Sequence, residues 1–165
     1  MSATKYNRVM QLFIIACVTH FYRAMAILNY TTSIKSEKTI MEIQQVLVRR
    51  GATKIVTDYT DQIPSSITFC LNMDGRVVAF ALPANYSGVL KAMKKDSKVP
   101  KRLLCDEQAL RVSWRIVKNW VEAQMALVEA QLADVAEVFL PYAVTKNGNT
   151  LYKEIGNSDV LLLSE

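Results

Sequence analysis

The sequence predicts an α+β fold: a β-α-β-β-β antiparallel sheet, with one long C-terminal helix packed on it and short flanking helices. Three observations carry this expectation. Residues 54–82 hold three stretches of β-branched or alternating residues joined by short connections, the pattern of antiparallel strands. Ahead of them Ile40, Ile43, Val46 and Leu47 repeat at helical spacing. Behind them no Gly or Pro interrupts residues 106–140, so a helix there meets no strong breaker.

Taken in order, residues 27–32 alternate and include Ile27, Thr31 and Thr32, which reads as a first strand. Ser33 or Ser36 can cap the helix over residues 36–50, and Thr39 with Glu42 offers a second capping box. Arg49 and Arg50 fall in its last turn and Gly51 follows as a stop. Strands are expected at 54–59, 66–72 and 76–82, with 61–65 a loop around Pro64 and Asp74-Gly75 a hairpin turn. On the second of these, Ile67, Phe69 and Leu71 share one face; on the third, Val78, Phe80 and Leu82 do. Asn85 can cap a helix at 86–95, and 96–104 is a loop. Asp106 and Glu107 suit the first turn of the long helix, whose stripe runs Leu110, Trp114, Val117, Val121, Met125, Val128 and Leu132. Val112, Ile116, Ala123, Leu127 and Ala130 widen it. Val121-Glu122-Ala123-Gln124 echoes in Val128-Glu129-Ala130-Gln131, a heptad hint of packing between two copies of the chain. A restart is expected at Asp134, a stop at Pro141, a turn at 146–149 and a last short element at 151–155.

The chain has 165 residues, with 51% apolar and 21% charged, which suits one folded domain and excludes wholesale disorder. Residues 25–165 read as that domain. Residues 1–24 read as an N-terminal extension or docking helix. Lys5 and Arg8 precede a short apolar run there, too short to span a bilayer. Ile14-Ile15-Ala16-Cys17 matches a lipoprotein box as a minor alternative, and Met25 offers a later start. Cys17, Cys70 and Cys105 share no metal-ligand spacing and form no even disulfide set. His20 is the one histidine, which argues against a His-dependent mechanism. No phosphate loop or nucleophile elbow is present, so the expectation is a protein that is not an enzyme, with no cofactor and no metal. Of the carboxylate pairs, Asp58 and Asp61 flank a loop and could bind a cation weakly, while Glu122 and Glu129, one heptad apart, are better explained by a solvated helix face.

Residues 113–142, SWRIVKNWVEAQMALVEAQLADVAEVFLPY, and the front segment from Asn29 to Pro83 resemble a group of small uncharacterised proteins encoded by bacteriophages and integrative elements. The resemblance covers most of the chain after Met25. It implies a mobile-element protein in the cytoplasm of a bacterial host and supplies no functional residues.

The net charge of +5 is concentrated. Residues 91–118 carry Lys91, Lys94, Lys95, Lys98, Lys101, Arg102, Arg111, Arg115 and Lys118 against Asp96, Asp106 and Glu107. The remainder is close to neutral. Arg111, Arg115 and Lys118 lie at i, i+4 and i+7, on one helix face. Such a patch suits phosphate binding, because each neutralised phosphate releases counterions. DNA or RNA is therefore the expected partner, and Tyr59, Phe69 or Phe80 could stack bases. The alternative is an oligomeric module that binds a host or phage protein or sequesters a nucleotide, such as an inhibitor of host defence, associating through the long helix.

Overall fold

The computed structural model describes residues 27–73 and 75–156. The expectations for residues 1–24, for Asp74 in the hairpin turn and for the apolar tail at 161–163 lie outside these. The elements run α1 (Ser36–Arg49), β1 (Lys54–Thr60), β2 (Ile63–Met73), β3 (Arg76–Pro83), α2 (Tyr86–Lys95), α3 (Asp106–Glu129), α4 (Val135–Phe139) and α5 (Leu151–Gly156). Single 3₁₀ turns occupy Lys101–Leu103 and Leu140–Tyr142. The class is α+β, with a three-stranded antiparallel sheet in the order β1-β2-β3.

The alternation in the strands sets the faces. Ile55 pairs with Phe69 and Phe69 with Phe80, while Thr57 pairs with Ile67 and Ile67 with Leu82. Directly paired residues share a face, so this set turns inward. Phe69, Ile67, Phe80 and Leu82 are buried there with Ile43 and Leu47 of α1 and with Trp114, Val121 and Met125 of α3. Phe69 stacks on Phe80 with ring centroids 5.4 Å apart, and Phe139 meets Phe69 edge-on at 5.4 Å. Trp114 is fully buried, and its indole N–H donates to the Pro64 carbonyl at 3.3 Å.

A second apolar cluster lies between α2 and α3. Met93, Val99, Ala109 and Val112 are buried in it, with Ile27, Tyr30, Leu103 and Ile116 packed around them. α3 is thus apolar on two flanks over its first half. Over its second half the widening residues Ala123 and Ala130 are exposed, and so is Leu127.

Four expectations are corrected. Residues 27–32 form a turn, not a strand. Asn29 takes a left-handed backbone (φ 64°), Thr32 N–H donates to the Asn29 carbonyl at 2.9 Å, and Ile27 and Tyr30 feed the second cluster. The leading strand of the expected β-α-β-β-β order is therefore missing among the described residues. Residues 61–65 are not a loop: Asp61 and Gln62, both at positive φ, make a two-residue hairpin turn and β2 starts at Ile63. Pro64 fits there because the β1–β2 register shifts at Asp58/Tyr59, where a bulge releases the ladder. The expected side-chain caps of α1 do not form, since Lys35 is its N-cap and the Thr39 hydroxyl donates to the Lys35 carbonyl at 3.3 Å. α3 ends at Glu129, short of the Asp134 restart, because Gln131 turns left-handed (φ 58°) and Leu132 is left 73% exposed. Asp134 precedes α4 but its side chain bonds no helix N–H.

Asn85 caps α2 as its position suggests, accepting from Gly88 N–H at 2.9 Å. No described helix is long and apolar enough to cross a membrane.

Candidate nucleic-acid interface

The basic residues of 91–118 divide into two groups. Lys91, Lys94 and Lys95 project from α2, Lys98 from the loop after it, and Lys101 and Arg102 from the 3₁₀ turn; all six are exposed. Lys91, Lys94, Lys95, Lys101 and Arg102 form no ion pair among the described residues.

Their backbone is held from beneath. Met93 is fully buried on the inner side of α2, and Val99 is buried in the loop. Asp96, the one acid in this stretch, is half-buried. Its carboxylate accepts Lys98 N–H at 2.9 Å and Ile27 N–H at 3.3 Å, closing the loop on itself and tying it to the incoming chain. The first of these is an Asx turn, the local bond that Asp makes two residues on. Gln108 of α3, itself buried, donates to the carbonyls of Tyr30 at 2.9 Å and Thr32 at 2.8 Å, which fixes the turn against the same cluster. Sequence inspection missed Asp96 and Gln108 as organising residues. The Asp96-Ser97-Lys98 spacing is a legible signal for the first; the second depends on a tertiary contact.

The second group sits on α3 and is engaged. Arg111 pairs with Glu107 one turn before it. Arg115 pairs with Glu42 of α1 at 2.6 Å, the two side chains being only 17% and 27% exposed. Lys118 reaches Glu122 at 2.5 Å and Glu42 at 3.8 Å, and is 12% exposed. These carboxylates neutralise the row, and Glu42 ties α1 to α3 through Arg115 and Lys118. The two groups also face different ways. Ile116 points into the cluster under α2, and Arg115, one residue earlier, is turned about 100° around the helix toward α1. The nine residues therefore do not make one face.

The remaining candidates are placed as follows. Phe69 and Phe80 are buried in the core and cannot stack bases; Tyr59 is 63% exposed. Asp58 accepts the Ser66 hydroxyl at 2.6 Å, and Glu129 pairs with Arg50. Cys70 is half-buried and Cys105 exposed. Among the described residues no cluster of three or more His, Cys, Asp or Glu has the arrangement of a metal site. Glu154 is held below the ordinary carboxylate range, chiefly by the Asn149 amide and then the Asn147 amide, with the Thr145 hydroxyl adding to them and partial desolvation opposing. It closes the 145–149 turn and takes no part in the basic surface.

The chain matches no protein-family model, no curated protein and no solved structure.

Proposed function

We propose that this chain is a non-enzymatic accessory protein of a phage or mobile element that binds nucleic acid in the bacterial cytoplasm through the phosphate backbone. Lys91, Lys94, Lys95, Lys98, Lys101 and Arg102 make the contacts. Arg111, Arg115 and Lys118 serve the fold and stand back from the ligand. The observation that carries this reading is one anchored helix–loop with six exposed cations, whose single acid is turned into the loop's own hydrogen bonds. Backbone contacts of this kind give little base preference. Affinity should fall steeply with salt, with log K linear in log salt concentration. A titration of duplex DNA, single-stranded DNA and RNA at several salt concentrations tests the reading. Binding of none of the three, or binding indifferent to salt, contradicts it.

A further inference from the structure

Among the described residues β1 is an edge strand with no further strand beside it. The opposite edge is partly covered, because Phe80 bridges Ala143 and Val144 N–H donates to the Ala79 carbonyl at 2.8 Å. That bond also fixes the hydrogen-bonding phase of the strands. Backbone polar groups of successive residues point to alternate edges. Ala79 points away from β2, so its partner Cys70 points away from β3 and toward β1. In agreement, the Cys70 carbonyl accepts Thr53 N–H at 3.0 Å. Lys54, paired with Cys70, turns its polar groups inward, as does Val56. Ile55 and Thr57 turn theirs out. Among the described residues no other segment forms a backbone hydrogen bond to this edge.

An unpaired edge is a template for another strand unless charge, Pro or a bulge blocks it. Residues 54–58 contain no Pro, and the bulge falls after them, at Asp58/Tyr59. Their two charges, Lys54 and Asp58, lie symmetrically about Val56. Two copies pairing antiparallel about a two-fold axis at Val56 would therefore set Lys54 of each opposite Asp58 of the other. Ile55 would face Thr57, and these are the residues whose N–H and C=O groups point outward, so both ladders of bonds close. Registers centred on Ile55 or Thr57 satisfy the backbone equally but face Lys54 with Val56 or Thr60. Charge complementarity selects the first. Val56 and Tyr59, the latter 63% exposed, are apolar groups on β1, and Val48 of α1, 60% exposed, lines a surface hollow with Lys54 and Ile55.

We propose that β1 is a self-association edge, through which two copies of this chain join their sheets about a two-fold axis at Val56. In this register the two Val56 residues form a non-hydrogen-bonded pair with Cα atoms about 4.5 Å apart, within the span of a disulfide. The full chain carrying Val56→Cys, mildly oxidised, should yield a covalent dimer whose linked peptides map to position 56 on both sides. Sedimentation equilibrium of the parent chain should give a dimer. Lys54→Glu or Asp58→Lys alone should weaken it by roughly tenfold or more, since each places like charges opposite one another in both halves. The double variant Lys54→Glu/Asp58→Lys should restore association. It carries the same loss of the Ser66 contact as Asp58→Lys, so restoration separates lost pairing from lost folding. A monomeric parent chain at about 100 μM, far above the concentrations at which specific dimers persist, would overturn the proposal. So would a dimer that ignores both single changes and does not link through position 56.

Discussion

Lys94, Lys95, Lys101 and Arg102 stand exposed around an apolar cluster, while Arg111, Arg115 and Lys118, a few residues on, are held by Glu107, Glu42 and Glu122. Similar composition ends in two different uses. α3 is packed between α1 and α2, so cations on its α1 flank lie beside the Glu42 carboxylate and bury part of their stems. The α2–loop segment covers its cluster with Met93 and Val99, and its Lys94, Lys95, Lys101 and Arg102 form no ion pair among the described residues. Its one acid is drawn into backbone hydrogen bonds. Charge written in the sequence becomes charge offered to a ligand only where no acid from another element reaches it.

The largest effect is expected from Met93→Ala, which opens a cavity under the exposed group. It should cost about 2–5 kcal/mol in denaturant unfolding and weaken nucleic-acid binding as the segment loosens. Next, replacing Lys94, Lys95, Lys101 and Arg102 together by Ala should leave stability nearly unchanged. The salt slope of log K should become shallower by about 3 to 4, close to one per lost phosphate contact. Arg115→Ala should do the reverse. It leaves Glu42 partly buried with only the longer Lys118 contact, and should cost about 1–3 kcal/mol with little change in salt slope. Glu107→Gln breaks an exposed i,i+4 pair, so thermal stability should move by less than about 0.5 kcal/mol. It frees Arg111, and a steeper salt slope there would mean that the α3 row also reaches the ligand.

The smallest effect concerns Glu154, remote from both groups. Its folded pKa is depressed, so its contribution is full above the unfolded value near 4.5 and is lost as pH falls through the lower folded value. Glu154→Gln should therefore remove a small acid-limb dependence from thermal melts and leave the neutral-pH melting temperature almost unmoved.

Local patterning made most elements legible. The Ile40/Ile43/Leu47 face, the Ile67/Phe69/Leu71 and Val78/Phe80/Leu82 alternations and the Asn85 cap all reflect short-range physics. What stayed hidden was decided elsewhere in the chain. Residues 27–32 have a strand's alternation, yet the Tyr30 and Thr32 carbonyls are taken by Gln108, far along the sequence. Pro64 marks a loop by propensity, but a bulge opposite it and the Trp114 indole on its carbonyl make it part of β2. The candidate site was half legible. Two of the α3 pairs, Arg111 with Glu107 and Lys118 with Glu122, are i,i+4 neighbours readable on a helical wheel. The third, Arg115 with Glu42, joins residues from separate helices, and no local pattern contains it.

If the exposed helix–loop cations, and not the α3 row, meet the ligand, the two groups must differ in their effect on binding. The most direct measurement is the salt dependence of nucleic-acid affinity for the parent chain beside the Lys94/Lys95/Lys101/Arg102 variant and Arg115→Ala. A steep slope is expected for the parent, a similar one for Arg115→Ala, and a slope shallower by about 3 to 4 for the fourfold variant. Equal slopes for the parent and the fourfold variant, or a larger loss from Arg115→Ala, would contradict this expectation.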